Sequence, residues 1–298
     1  MTNRHCAIVS ILAAAGLAAG APGQTIVFST NGPDFRMAAA SGQEPVSLVE
    51  TEAADDFVLA SDTRITGATV IGFLPPGGAL TDIERVMVKI YRVFPLDSTT
   101  PPDGRVLTRA NSPSDVELVG RDSADLNLSF TASVLTGAFT AQNSVLNGIN
   151  VSPNQTTGGE GPVTGQEVQF DVTFLAPVDL LADHYFFVPQ VRLASGDFFW
   201  LSAVRPIVAP GTPFLPDLQS WIRNENLDPD WSRIGTDIVG PGPQGAPAPM
   251  FNSAFSLDGD TVAIVPEPAT LLLVGSGLAL LGRHRRRRRK NVAVSVLR

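Results

Sequence analysis

A chain of 298 residues, 44% hydrophobic and 17% charged, is long enough for one large domain with a substantial core and is not a polytopic membrane protein. Its net charge of −8 hides an asymmetry, because residues 24–266 carry 12 basic against 28 acidic side chains, and this −16 excludes a nucleic-acid partner, whose phosphates need the opposite sign. The single cysteine, Cys6, lies near the start, so the rest of the chain has no disulfide, no thiolate zinc ligand and no cysteine nucleophile.

Residues 1–23 show the three parts of a secretory signal peptide: basic Arg4 and His5, an apolar helix-forming run from Ala7 to Ala19, and small residues before the cut. Cleavage by signal peptidase is predicted between Gly23 and Gln24, leaving residues 24–264 as an exported domain.

Within that domain Thr25-Ile-Val-Phe28 reads as a first strand, followed by a polar stretch to about Ala54. Phe57-Val-Leu59 and Ile65 to Phe73 are β-rich and bounded by turn residues. Val86, Val88 and Ile90 alternate with Arg85, Lys89 and Arg92, and the proline-rich residues 95–115 read as a long loop. Two short strands are predicted at Leu126 to Phe130 and Val134 to Phe139. Phe170, Val172 and Phe174 alternate with Gln169, Asp171 and Thr173, the pattern of a half-buried strand. Tyr185 to Leu193 and Phe198 to Val204 flank Ala194-Ser-Gly-Asp197 and read as a hairpin. Residues 206–250, rich in Pro and Gly, read as a surface excursion carrying Trp221 and Trp231, and Phe251 to Leu257 with Thr261 to Val265 as a closing hairpin turned at Asp258-Gly259. No capped helical periodicity interrupts the series. The prediction is an all-β domain, a β-sandwich or jelly roll, between an N-terminal signal helix and a short C-terminal transmembrane helix.

Candidate chemistry is sparse. His184 is the only histidine between the leader and the tail, which rules out a multi-histidine metal centre, and there is no Gly-x-Ser-x-Gly nucleophile elbow. Carboxylates are plentiful, and glycoside hydrolysis needs only two at a set separation, which the sequence cannot reveal. Asp55-Asp56, Asp228-Pro-Asp230 and Asp258-Gly-Asp260 offer oxygens to Ca²⁺, although none has the spacing of an EF-hand loop; the metal is left open and no other cofactor is expected. Trp221 and Trp231, with Asn224 and Asn226 between them, are the candidate sugar-stacking residues.

The last segment, residues 265–290, is the most specific. Val265-Pro-Glu-Pro-Ala-Thr270 is followed by an apolar run over residues 269–282 and by a basic cluster, Arg283, Arg285, Arg286, Arg287, Arg288, Arg289 and Lys290. Fourteen apolar positions fall short of the roughly 20 that span a bilayer comfortably. The positive-inside rule places the cluster and residues 291–298 in the cytoplasm, with the domain across the membrane. This tail resembles the PEP-CTERM sorting signal of Gram-negative bacteria, with Pro266, Glu267 and Pro268 as the motif, 269–282 as its helix and the basic cluster as its stop. The resemblance implies that an inner-membrane exosortase reads the tripeptide and removes the tail, so that anchoring in the inner membrane is transient and the product is re-anchored at the surface or released.

A second resemblance concerns the domain. Ala54-Asp-Asp-Phe57, Ile65-Thr-Gly67, Val86 to Tyr91, His184-Tyr185 with Trp200, and Ala254-Phe-Ser-Leu257 are similar to pieces of a group of exported bacterial β-sandwich domains. That likeness implies fold and no activity. The expectation for function is therefore a non-enzymatic structural or adhesive protein of the cell surface or exopolysaccharide matrix. The alternative is a secreted carbohydrate-binding module or a carboxylate-pair enzyme acting on glycans.

Overall fold

The computed structural model describes residues 25–262, apart from 31, 44–49, 102–103, 105, 107–108, 150–155 and 205–218. The signal peptide with its Gly23–Gln24 boundary, the 266–268 motif, the 269–282 helix and the basic cluster lie outside the described residues. Among those described, no helix is long and apolar enough to cross a membrane.

In chain order the strands are β1 (Ile26–Ser29), β2 (Pro33–Ala40), β3 (Thr51–Val58), β4 (Thr63–Leu74), β5 (Ile83–Val93), β6 (Pro113–Asp122), β7 (Leu128–Ala141), β8 (Ser144–Val145), β9 (Val163–Leu180), β10 (His184–Leu193), β11 (Phe199–Ala203), β12 (Trp221–Asn224), β13 (Ser232–Arg233), β14 (Asn252–Ser253) and β15 (Phe255–Thr261). They form two sheets. The smaller runs β13-β12-β3-β10-β5-β6, and the larger follows β1-β15-β4-β11-β2-β8, with β9 pairing β4, β7 extending from β9, and β14 beside β11.

The two sheets share one apolar core. Phe187 of the smaller sheet stacks on Phe255 of the larger at 5.0 Å and meets Trp200 edge-on at 6.1 Å, while Phe57 faces Phe28 at 6.0 Å. Such offset and edge contacts suit the ring quadrupoles and add to the free energy of burying large aromatic area. The alternation read at 169–174 holds: Phe170, Val172 and Phe174 are buried, Asp171 and Thr173 exposed. It belongs to an 18-residue strand, β9, that binds β4 on one side and β7 on the other.

Four expectations are corrected. The polar stretch to Ala54 contains β2, whose alanines are small enough to sit beside bulky neighbours: Ala39 opposes Trp200 and Ala40 opposes Phe199 on β11. The two segments read at Leu126 to Phe130 and Val134 to Phe139 fall on one strand, β7, which runs from Leu128 to Ala141 with two register shifts. Tyr185 to Leu193 and Phe198 to Val204 are not a hairpin, because β10 lies in one sheet and β11 in the other, so Ala194 to Asp197 turns the chain across the core. Asp258-Gly259 is not a turn but a register shift inside β15, where Gly259 lies so close to the Arg64 carbonyl that a side chain would collide with it.

A charged cleft, a sealed pair of indoles and the carboxyl-terminal pole

The segment read as a surface excursion returns to the domain. β12 pairs with β3, and the turn of π-helix at Ile234–Val239 follows β13. These residues cover the outer face of the smaller sheet, where Trp221 and Trp231 join Ala54, Tyr91, Phe186 and Val188 in a buried cluster. Both indoles are 0% exposed. The Arg223 guanidinium lies 4.4 Å over the Trp231 ring, Tyr91 meets that ring edge-on at 5.5 Å, and Arg233 lies 5.9 Å over Trp221. The two residues expected to stack on a sugar offer no face to solvent. An arginine already occupies the π-surface a sugar would use.

Above this cluster is a cleft of about 280 Å³ lined by Glu50, Glu52, Lys89, Arg223 and Asp228 among others. Glu52 is 5% exposed and is its centre. It accepts from Lys89 Nζ at 2.6 Å, from the Tyr91 hydroxyl at 3.1 Å and from Arg223 Nε, while Arg223 also donates to the Tyr91 oxygen at 3.0 Å. Glu50 takes Lys89 at 3.3 Å and Gln190 Nε2 at 2.8 Å, and Asp228 pairs with Arg223 at 2.7 Å. Burial works to raise the Glu52 carboxyl, but the Arg223 and Lys89 charges outweigh it and hold the group below the usual carboxylate range. Burial and the Glu52 charge raise the Tyr91 hydroxyl, keeping it a donor. Glu50 and Glu52 are thus neighbours on one lysine. Of the two roles in a glycosidase pair, the protonated acid is one that Glu52, held ionised by Arg223 and Lys89, does not fit.

The three acidic pairs considered for calcium are taken apart by the fold. Asp55 points between the sheets, 1% exposed, and accepts the Ser253 N–H at 2.6 Å; Asp56, on the opposite face of β3 and 2% exposed, pairs with His184 Nε2 at 2.9 Å. Burial and then the Asp56 charge push the Asp55 carboxyl well above the carboxylate range. Asp228 binds Arg223, and Asp230 binds Arg109 at 2.9 Å. Asp258 sits in the register shift with its carboxyl raised by burial and by Asp171, while Asp260 is exposed. Among the described residues no group of three His, Cys, Asp or Glu side chains is placed to hold a metal ion.

Both ends of the described domain meet at one pole. β1 runs antiparallel to β15, so Ile26 lies opposite Asp258 and the Gly259 N–H reaches the Thr25 carbonyl at 2.9 Å. Thr261 lies opposite Thr63, and Thr63 opposite Leu180. Asp62 closes the pole, taking the Val262 N–H on its carbonyl and the Ala182 N–H on its carboxylate, both at 2.9 Å. Beside it a second cleft, about 310 Å³, lies between the end of β9 and the edge strand β6.

What leaves this pole identifies the chain's sorting route. Residues 265–289 match the PEP-CTERM protein-sorting motif. The PEP-CTERM match covers Pro266-Glu-Pro268, the apolar run and the arginines through Arg289, and stops one residue before Lys290. It marks an exported protein processed by an exosortase, held at the membrane by its C-terminal segment until then. No curated protein and no solved structure matches the chain. The PEP-CTERM tripeptide begins four residues after Val262, a reach of about 14 Å at full extension.

Sequence reasoning missed Lys89, Arg223 and Glu52 as a unit. Lys89 was visible on the outward side of the alternating run 85–92, but Glu52, which it binds, and Arg223, which binds the same carboxylate, are 37 and 134 positions away, and only β3–β10–β5 and β12–β3 pairing brings the three together.

Proposed function

We propose that this is an exported, non-catalytic protein, sorted by an exosortase to the cell surface or exopolysaccharide matrix of a Gram-negative cell, where its β-domain has a structural or adhesive role without a cofactor. The observation that carries the reading is the match of residues 265–289 to the PEP-CTERM protein-sorting motif. The domain adds support in two ways. The polar groups of the cleft around Glu52 are engaged with one another in ion pairs, and the indoles at 221 and 231 are sealed, which agrees with a non-catalytic role. A domain balance of −16 suits solubility outside the cell.

In this reading signal peptidase cuts after Gly23 and the exosortase reads Pro266, Glu267 and Pro268. Replacing Glu267 by Ala is expected to leave an unprocessed precursor in the membrane fraction, with both termini read by mass spectrometry of the purified protein. A variant processed like the parent would sink the sorting role of Glu267. The matrix role is tested separately, by comparing retention of the mature domain on cells with and without the exopolysaccharide. Equal retention would refute it.

A further inference from the structure

Among the ten described cations of the domain, nine have a carboxylate within 4.0 Å: Arg36, Arg64, Arg85, Lys89, Arg92, Arg109, Arg192, Arg223 and Arg233. Arg121 is the exception. It braces the edge of β6 against the end of β9, donating Nε to the Ala176 carbonyl at 2.5 Å, Nη2 to the Pro177 carbonyl at 3.1 Å and Nη1 to its neighbour Gly120 at 2.7 Å. A guanidinium has five N–H donors, so two remain after these three bonds, and no described carboxylate neutralises the charge. Among the described cations Arg121 alone lines a cleft wall without a carboxylate partner; Asp179, in the same lining, is already held by Arg64.

The same cleft has an apolar side made by Leu118, Val119, Val178 and Leu181, and Leu181 is 55% exposed. It lies at the pole where the tail leaves. Thr261, Thr63 and Leu180 are successive cross-strand neighbours, which puts the end of β15 about 10 Å from the cleft rim at two strand spacings. From Val262 to residue 267 the chain reaches about 17 Å. Residues 263–267 are Ala-Ile-Val-Pro-Glu, two branched apolar side chains and then the only ionisable group between Val262 and Arg283.

We propose that this cleft docks the chain's own residues 263–267, with Ile264 and Val265 over the apolar wall and the Glu267 carboxylate on Arg121. The occupant follows from three features: where β15 ends, how far the segment reaches, and the match of the one acid in that segment to the one described cation without a carboxylate. Docking withholds the carboxylate that the sorting enzyme would read, so release from the cleft precedes processing. That consequence rests on the sorting role proposed above; docking itself does not.

The chain's only cysteine, Cys6, makes the test direct. In full-length precursor carrying Cys6→Ser, made in cells without an exosortase and held in detergent micelles, the pair Val119→Cys and Val265→Cys is expected to form a disulfide under mild oxidation. Such a bond requires Cα atoms within about 7 Å. A control pair, Ser133→Cys on exposed β7 with Val265→Cys, is expected to cross-link at least tenfold less. Arg121→Gln and, separately, Glu267→Gln are expected to lower cross-linking several-fold. The second change lies outside the folded strands, so a loss there is not a folding defect. No disulfide at 119–265, equal yield at 133–265, or indifference to Glu267→Gln would overturn docking. None of these readouts depends on whether the tripeptide is later cut.

Discussion

Glu52 and Arg223 show how a buried charge is kept. Each is less than 10% exposed, and each would cost several kcal/mol to desolvate alone, so the pair persists because Lys89, Tyr91 and the Trp231 ring satisfy what remains. Arg223→Ala leaves Glu52 with Lys89 and the Tyr91 hydroxyl and uncovers Trp231; the expected cost is about 3–5 kcal/mol, read from the urea midpoint. The Glu52 carboxyl lies below its unfolded value, so its contribution is present above the ordinary glutamate range and is lost as pH falls through the lowered value.

Asp55 works with the opposite sign. Its carboxyl is raised by burial and by Asp56, so its neutral form is favoured in the fold, and stability declines as pH rises from the ordinary aspartate range through the raised value. Asp55→Asn keeps a neutral polar group of the same shape facing the Ser253 N–H. The expected outcome is a flatter dependence of unfolding free energy on pH, with the variant more stable than the parent on the alkaline side; an unchanged profile would contradict the neutral assignment.

Among the elements, the middle parts of β9 and β5 were legible because their burial alternates, and a period of two is a local property. β2 and β12 were not. Alanine has weak strand preference, and a four-residue Trp-Ile-Arg-Asn strand has no period to detect; both exist because a neighbouring strand supplies the ladder and a large ring supplies the contact. β4 carries the larger sheet, pairing β9 along one edge and β15 and β11 along the other. At Gly72 the backbone meets the Phe198 ring and the Phe199 carbonyl so closely that a Cβ would collide with both. Gly72→Ala is expected to lower stability by about 1–3 kcal/mol, seen as a fall in melting temperature, because the Phe198 ring must leave its edge-on contact with Phe170.

For the whole molecule, the closure of first strand on last is decisive. β15 lies between β1 and β4, and its Phe255 contacts Phe28, Phe187 and Trp200 across the core. Removing residues 255–298 is therefore expected to abolish the cooperative thermal transition followed by circular dichroism. Removing only 263–298 is expected to preserve it, with every described strand pairing retained. The end of the folded domain and the start of the sorting signal are four residues apart, so folding of one ends where recognition of the other begins.

Export, the sorting tail, the absence of thiol chemistry from the domain and its β-rich class were all readable in the linear chain, because each depends on composition, local order or a period of two. Which acids are neutral, which are paired and which indoles are sealed was decided only by tertiary structure. Those properties arise from groups such as Glu52, Lys89 and Arg223, far apart in the chain and brought into contact by strand pairing in a low-dielectric interior. Trp221 and Trp231 are candidate ligand contacts in the linear chain because their sequence neighbourhood is polar, but their spatial neighbourhood is the covered outer face of a sheet.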